Sequence, residues 1–273
     1  MLCLSLRNIR RLYKSDSPFE AFTLSRTIEV CISDVKVWVV QNKLLLNDDK
    51  TEILLIGSAP GIDLPSSVRV GQSDISFSSA ARNLGVIFDS ELALKEQGNK
   101  LCQLAYLEIR RIGSIRQYLS VEAAKTLVSS LVLSRHDYCN ALLAGCPQVL
   151  LDKIQRAINC SARLIYKASK SAQVTPLLFD LHWLPISSRI QYKIVLTCFN
   201  IVSGTAPPYL SELLHLYSPS RSLRSASDTR IFRVPGVCRR TVGERSFQYI
   251  GPVIWNSLSL SGMPRHSPLS SKN

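Results

Sequence analysis

Gln148-Val-Leu-Leu-Asp-Lys-Ile-Gln-Arg-Ala-Ile-Asn-Cys-Ser-Ala-Arg-Leu-Ile-Tyr-Lys-Ala-Ser169 is the stretch on which the reading of this chain turns. Leu151, Ile154, Ile158 and Ile165 recur at helical spacing and form one apolar stripe. At about 100° per residue, Lys153, Arg156, Arg163, Lys167 and Lys170 fall on the opposite side, within an arc of roughly 100°. The sequence therefore predicts a helix over 148–169 with a core face and a cationic face. A solvated face asks for charges of mixed sign, and Asp152 is the single nearby acid. The row suits contact with nucleic acid or another polyanion; it also suits a plain solvated face, and the pattern alone leaves both open.

Helical texture continues on both sides. Leu94, Leu101, Ala105 and Ile112 share a narrow stripe, with Lys100, Arg110 and Arg111 away from it. Val121–Leu133 is apolar nearly all round, which predicts a buried helix, and Ser120 is a good N-cap for it. A further helix is expected over Ser187–Val202, ended by Gly204 and Pro207–Pro208.

Toward the N-terminus the pattern changes. Residues 1–26 carry little periodicity, and Ser15–Pro18 reads as a turn. Ile28, Ile32, Val35 and Val39 predict a helix over Thr27–Lys43. Leu44–Leu46 and Ile53–Ile56 are short apolar runs, and Asn47–Lys50 between them is turn chemistry, so a β-hairpin is expected. Strands are expected at Val68–Val70, Asp74–Phe77 and Asn83–Phe88, as a small antiparallel sheet. The fold class is α+β: a lead-in over 1–26, a small sheet region over 27–90, a helical bundle over 91–217, and a basic, partly irregular Arg/Ser-rich segment over 218–273.

The 273 residues carry 33 Lys/Arg and 20 Asp/Glu, a formal net charge of +13. Residues 1–90 are balanced at ten of each sign, so the surplus belongs to the rest. An acidic solubility tail is excluded, and a polyanionic partner fits. Arg221–Arg245 holds seven arginines with Phe232, Val234 and Phe247 interleaved, which suits an arm on phosphates or a flexible tail equally. The eight cysteines include no C-x-x-C pair, so zinc-ribbon and thioredoxin-type chemistry is excluded. Buried free thiols of a soluble, intracellular protein are expected. The longest charge-free stretch, Ile194–Ser211, contains Gly204, Pro207 and Pro208, and no membrane span is expected. There is no G-x-S-x-G, P-loop or H-E-x-x-H motif, and no small-molecule substrate is indicated. His182 reads as a packed imidazole, Cys139 and Cys146 do not make a zinc knuckle, and Trp38 and Trp255 are both expected to pack.

Several strings, taken in order, resemble one family. Val35–Lys36–Val37–Trp38 followed by Asn42–Glu52 resembles the late palm of non-LTR (LINE-type) retrotransposon reverse transcriptases. Asn83–Leu84–Gly85–Val86–Ile87–Phe88–Asp89 resembles the primer-grip strand pair. Tyr118–Ser120 through Leu133–Asn140 resembles the thumb. Leu181–His182–Trp183–Leu184–Pro185–Ile186, Arg245–Ser246–Phe247 and Trp255–Leu258 resemble the region beyond it. The likeness runs from about Tyr13 to Leu260.

The resemblance implies an RNA-directed DNA polymerase, in which closely spaced carboxylates hold two metal ions. Two of those carboxylates belong to a Tyr-x-Asp-Asp motif just before the segment that here reads Leu12–Ser15. Alignment puts that motif over Leu6–Arg7–Asn8–Ile9, which has no carboxylate. The third would lie before Met1, and the basic helix that usually follows Leu260 is not found. Asp48–Asp49 reads as turn chemistry. Lys50 matches a family lysine that helps the leaving pyrophosphate, a role that needs the metals. The expectation is a truncated reverse-transcriptase remnant, inactive alone, with no catalytic or metal residues and no cofactor; Mg²⁺ belongs only to a full-length relative. It retains sequence-independent nucleic-acid binding, to duplex or template-primer, through Lys153, Arg156, Arg163, Lys167, Lys170, Lys100, Arg110 and Arg111. The alternatives are a decayed reading-frame product or a helical interaction scaffold.

Overall fold

A computed structural model of the chain describes residues 2–5, 19–45, 47, 51–56, 67–70, 73–217, 231–236 and 243–258. They form a mixed α+β structure of two compact units, Met1–Gln103 and Leu104–Asn273.

In the first unit, strand β1 (Leu2–Ser5), helix α1 (Phe19–Gln41) and strand β2 (Ile53–Ile56) follow in order. β1 and β2 pair in parallel, Leu2 opposite Ile53, and α1 lies in the crossover that parallel neighbours require. β2 also runs parallel to β4 (Ser73–Ser78), which pairs antiparallel with β3 (Ser67–Val70). The sheet order is β1-β2-β4-β3. β5 (Ala80–Asn83) and β6 (Val86–Asp89) make a separate antiparallel hairpin.

Three expectations change here. Ile53–Ile56 is not half of a hairpin with Leu44–Leu46, because Leu44 and Leu45 follow the end of α1 and are exposed. β2 instead lies between two neighbours with both faces covered. Ile53 packs with Ile32 and Val68, whereas Leu54 and Ile56 pack with Ala81 on the other side. Alternate residues of a strand face opposite ways, so an unbroken apolar run is the signature of an interior strand. Among the described strands of this unit, antiparallel pairing is confined to β3–β4 and β5–β6. Asn83–Phe88 is broken at Leu84–Gly85, whose φ angles of 46° and 85° make the tight turn of β5–β6.

α1 begins before the expected Thr27. Of its expected stripe, Ile32 is buried and Val39 half-buried, whereas Val35 is exposed. Trp38 does not pack: it is 61% exposed, because it stands about 100° round the helix from Val39. Helix α2 (Lys95–Ile115) is anchored at its start by Asp89, whose carboxylate accepts from Ala93 N at 2.6 Å and Lys95 N at 3.3 Å. Leu101, Ala105 and Ile112 are buried, as their spacing predicts; Leu94 is buried too, but it precedes the helix with a φ of 54° and does not belong to its stripe.

The second unit is helical. Ser120 caps helix α3 (Val121–Val128), its Oγ accepting from Ala123 N at 3.1 Å. The chain passes through a π-helical turn, Ser129–Leu133, into the short helix α4 (Ser134–Asp137). Burial along this run falls on Ala124, Val128, Val132 and Leu133, while Val121 is exposed; it is not buried all round. Apolar residues on every side do not bury a helix that packs on one side only, here against α5 (Gln148–Tyr166). Helices α6 (Thr175–Asp180), α7 (Ile186–Val202) and α8 (Pro208–Ser211) follow.

The last helix, α9 (Phe247–Ser257), packs on α7. Gly251 permits the approach, since a Cβ there would sit 3.3 Å from Cys198 Sγ. Phe232 and Trp255 are buried with ring centroids 5.8 Å apart. The Asn256 amide donates to Phe232 O (2.8 Å) and accepts from Phe232 N (3.0 Å), pairing with the backbone as a strand would. The Arg/Ser-rich residues 218–230 lie outside the described residues. Of the six described cysteines whose surroundings are defined, only Cys146 and Cys198 are buried, so burial of the thiols is not general. Burial pushes the Cys198 thiol up to about 12, so it stays protonated.

Candidate nucleic-acid interface

The charge divides with the fold. Met1–Gln103 contains 12 Lys/Arg and 12 Asp/Glu, whereas Leu104–Asn273 contains 21 and 8. The whole formal net charge of +13 therefore belongs to the second unit. A surplus of that size attracts polyanions over roughly a Debye length, about 8 Å at physiological salt.

α5 carries the longest row. Ile154, Ala157, Ile158, Ala162 and Ile165 are buried on its inner side, with Ser161 donating to Ala157 O. Lys153 and Arg156 are exposed on the outer side. Arg163 follows on the same side but turns back, its Nε and Nη2 donating to Ala172 O at 3.2 and 3.1 Å. The helix stops at Tyr166 rather than Ser169. Lys167 is the C-cap in left-handed conformation (φ 52°), so Lys167 and Lys170 leave the helical arc, although both are exposed. Cations at that end also complement the negative pole of the helix.

Arg116 belongs to the same end and is buried. Its guanidinium donates to Leu164 O at 3.0 Å, to Ile165 O, and to Leu119 O at 2.7 Å. It thereby supplies a donor to Ile165 O in the last turn of α5, and a second donor to Leu164 O, which also accepts from Lys167 N at 3.3 Å. Nothing in the local sequence around Arg116 announces this role.

On α2, Lys100 lies in the first unit and donates to Gln103 at 3.5 Å, while Arg110 and Arg111 lie in the second and are exposed. The eight expected cations are thus not gathered into one site: five belong to α5 and its C-terminal exit, two to the end of α2, and one to the first unit. Arg111 pairs with Glu108 at 3.3 Å, and Arg135 of α4 pairs with the same Glu108 oxygen at 3.5 Å. Arg135 escaped the sequence reading. The signal was present: Leu101, Ala105, Glu108 and Ile112 share one stripe, and an acid on a buried stripe demands cationic partners.

Beside Arg135 lies a polar cluster. Arg189 donates to both oxygens of Asp137, at 2.9 and 2.7 Å. His136 is buried, with Nδ1 2.8 Å from Val132 O. Burial holds its pKa below the ordinary 6.5, opposed by the Val132 contact and Asp137. Among the described residues, His136 Nε2 and Asn140 Oδ1 have no hydrogen-bond partner.

Of the arginines in Arg221–Arg245, Arg233 and Arg245 fall within the described residues. Arg245 points inward, donating to Ala144 O and Cys146 Sγ, both at 3.2 Å. The other five, together with Leu6–Ile9, Leu12–Ser15, Asp48, Asp49 and Lys50, lie outside the described residues. Among the described residues, no three His, Cys, Asp or Glu side chains are grouped to hold a metal ion, and no helix is long and apolar enough to cross a membrane. Comparison with known proteins finds no matching family model, no matching curated protein and no matching solved structure.

Proposed function

We propose that this chain is a remnant of a LINE-type reverse transcriptase that grips nucleic acid through Leu104–Asn273 and does not itself transfer nucleotides. The observation that carries the binding is the confinement of the +13 surplus to that unit, with Lys153 and Arg156 turned outward on α5. The polymerase ancestry rests on the order of the strings from Val35–Trp38 to Trp255–Leu258. The lack of transfer rests on Leu6–Ile9, which offers no carboxylate for a metal.

Binding of this kind reads the phosphate backbone, so it is indifferent to base sequence. Fluorescence anisotropy with a labelled duplex tests it: log K falls linearly with log salt, at about −0.9 per phosphate neutralised on B-form DNA. The K153E/R156E variant binds more weakly with a shallower slope. An unchanged slope removes α5 from the interface. In a primer-extension assay with Mg²⁺ or Mn²⁺ the chain incorporates nothing; template-dependent incorporation overturns the assignment of inactivity.

A further inference from the structure

Glu108 holds a position that its neighbours make unusual. It sits on the buried stripe of α2, and its side chain is 9% exposed. A carboxylate there needs compensation, and one cation would neutralise it. It has two. Arg111, one turn along α2, and Arg135, from α4, both aim Nη1 at the same oxygen, Oε1. The side chains of Arg111 and Arg135 remain 65% and 40% exposed. Two guanidiniums from separate elements are therefore held side by side at the surface, and the group keeps a net charge of +1.

A guanidinium has five N–H donors. Each arginine gives one to Glu108 in these pairs, and the outward edges remain for a tetrahedral oxyanion. Arginine side chains lose rotamer entropy when they are immobilised, and a fixed carboxylate behind them lowers what is lost on binding. We infer that Arg111 and Arg135, oriented by Glu108, form a preorganised seat for a backbone phosphate of a nucleic acid. The inference rests on the proposed function for the identity of the polyanion. It adds Arg135 as a contact and Glu108 as a positioning residue.

The charge of Glu108 makes the test decisive. Were net charge alone at work, Glu108→Gln would remove a negative charge and tighten binding. If Glu108 positions the arginines, E108Q loosens their hold and weakens binding, although the protein becomes more positive. The full chain is titrated onto a fluorescein-labelled duplex at several salt concentrations, as wild type, E108Q, R135Q and R135K, with thermal melts recording that each variant is folded. The expected result is weaker binding by several-fold for E108Q and roughly tenfold for R135Q, as befits a lost charge-assisted contact. The salt slope of R135Q is expected to be shallower by about 0.9. R135K keeps the charge and recovers only part of the affinity, because the fork is lost.

Tighter or unchanged binding by E108Q overturns the positioning role, and an unchanged R135Q overturns the seat. Either result with a wild type that binds leaves the proposed function standing. A wild type that holds no duplex overturns both. If E108Q melts below the assay temperature, R135Q and R135K decide, since Arg135 is substantially exposed.

Discussion

His136 shows how one side chain couples the fold to solution conditions. Its imidazole is buried against Val132 O, and burial holds it neutral in the folded chain. On unfolding the ring returns to an ordinary pKa of 6.5. Below that value the unfolded chain takes up a proton that the folded chain refuses, so the unfolded state gains relative to the folded one. Stability contributed by this residue is complete above pH 6.5 and declines as the pH falls below it. Chemical denaturation between pH 7.5 and 5.5 is expected to show that decline, and the His136→Gln variant a smaller one. Asp137, Arg189 and Asn140 are the polar neighbours at this site.

At the scale of elements, α5 shows both what a sequence discloses and what it hides. Its inner face was legible because Ile154, Ile158 and Ile165 obey the 3.6-residue period, and the same logic found Leu101, Ala105 and Ile112 on α2. Its end was not, because the left-handed Lys167 terminates the helix where glycine is the usual residue. That position carries a test. Lys167→Gly removes a strained φ of 52° and is expected to raise stability by about 0.5–1 kcal/mol in urea titrations, while removing one candidate phosphate contact. The hairpin assigned to Leu44–Ile56 failed for a related reason. Turn chemistry at Asn47–Lys50 describes a bend and says nothing about which strand pairs with which. The apolar content of Ile53–Ile56 on both faces was the stronger clue to an interior strand. Arg116 and the Phe232–Asn256 pairing were out of reach, because their partners lie tens of residues away and no local spacing encodes them.

For the whole molecule, the deciding feature is the division of charge. A balanced unit and a strongly basic one share a chain, so affinity for a polyanion should depend on where a charge is lost rather than on how many are lost. Arg69 and Arg82 are exposed in the first unit. The R69E/R82E variant changes the formal charge as much as K153E/R156E does. It is expected to leave duplex affinity within about twofold, whereas K153E/R156E weakens it by tenfold or more. Equal losses in the two variants would mean that net charge acts without regard to location.

The π-helical turn at Ser129–Leu133 acts as a phase shifter for everything downstream. It accommodates one residue more than an α-helix would over the same rise. If the same residues wound as a regular α-helix instead, α4 would be rotated by about 100°. Arg135 would swing away from Glu108, and Asp137 away from Arg189. Loss of one of these five residues would let a regular helix form with α4 still in place, whereas a further insertion has no slack left to absorb it. The turn should therefore tolerate an in-frame deletion of one codon better than an insertion of one.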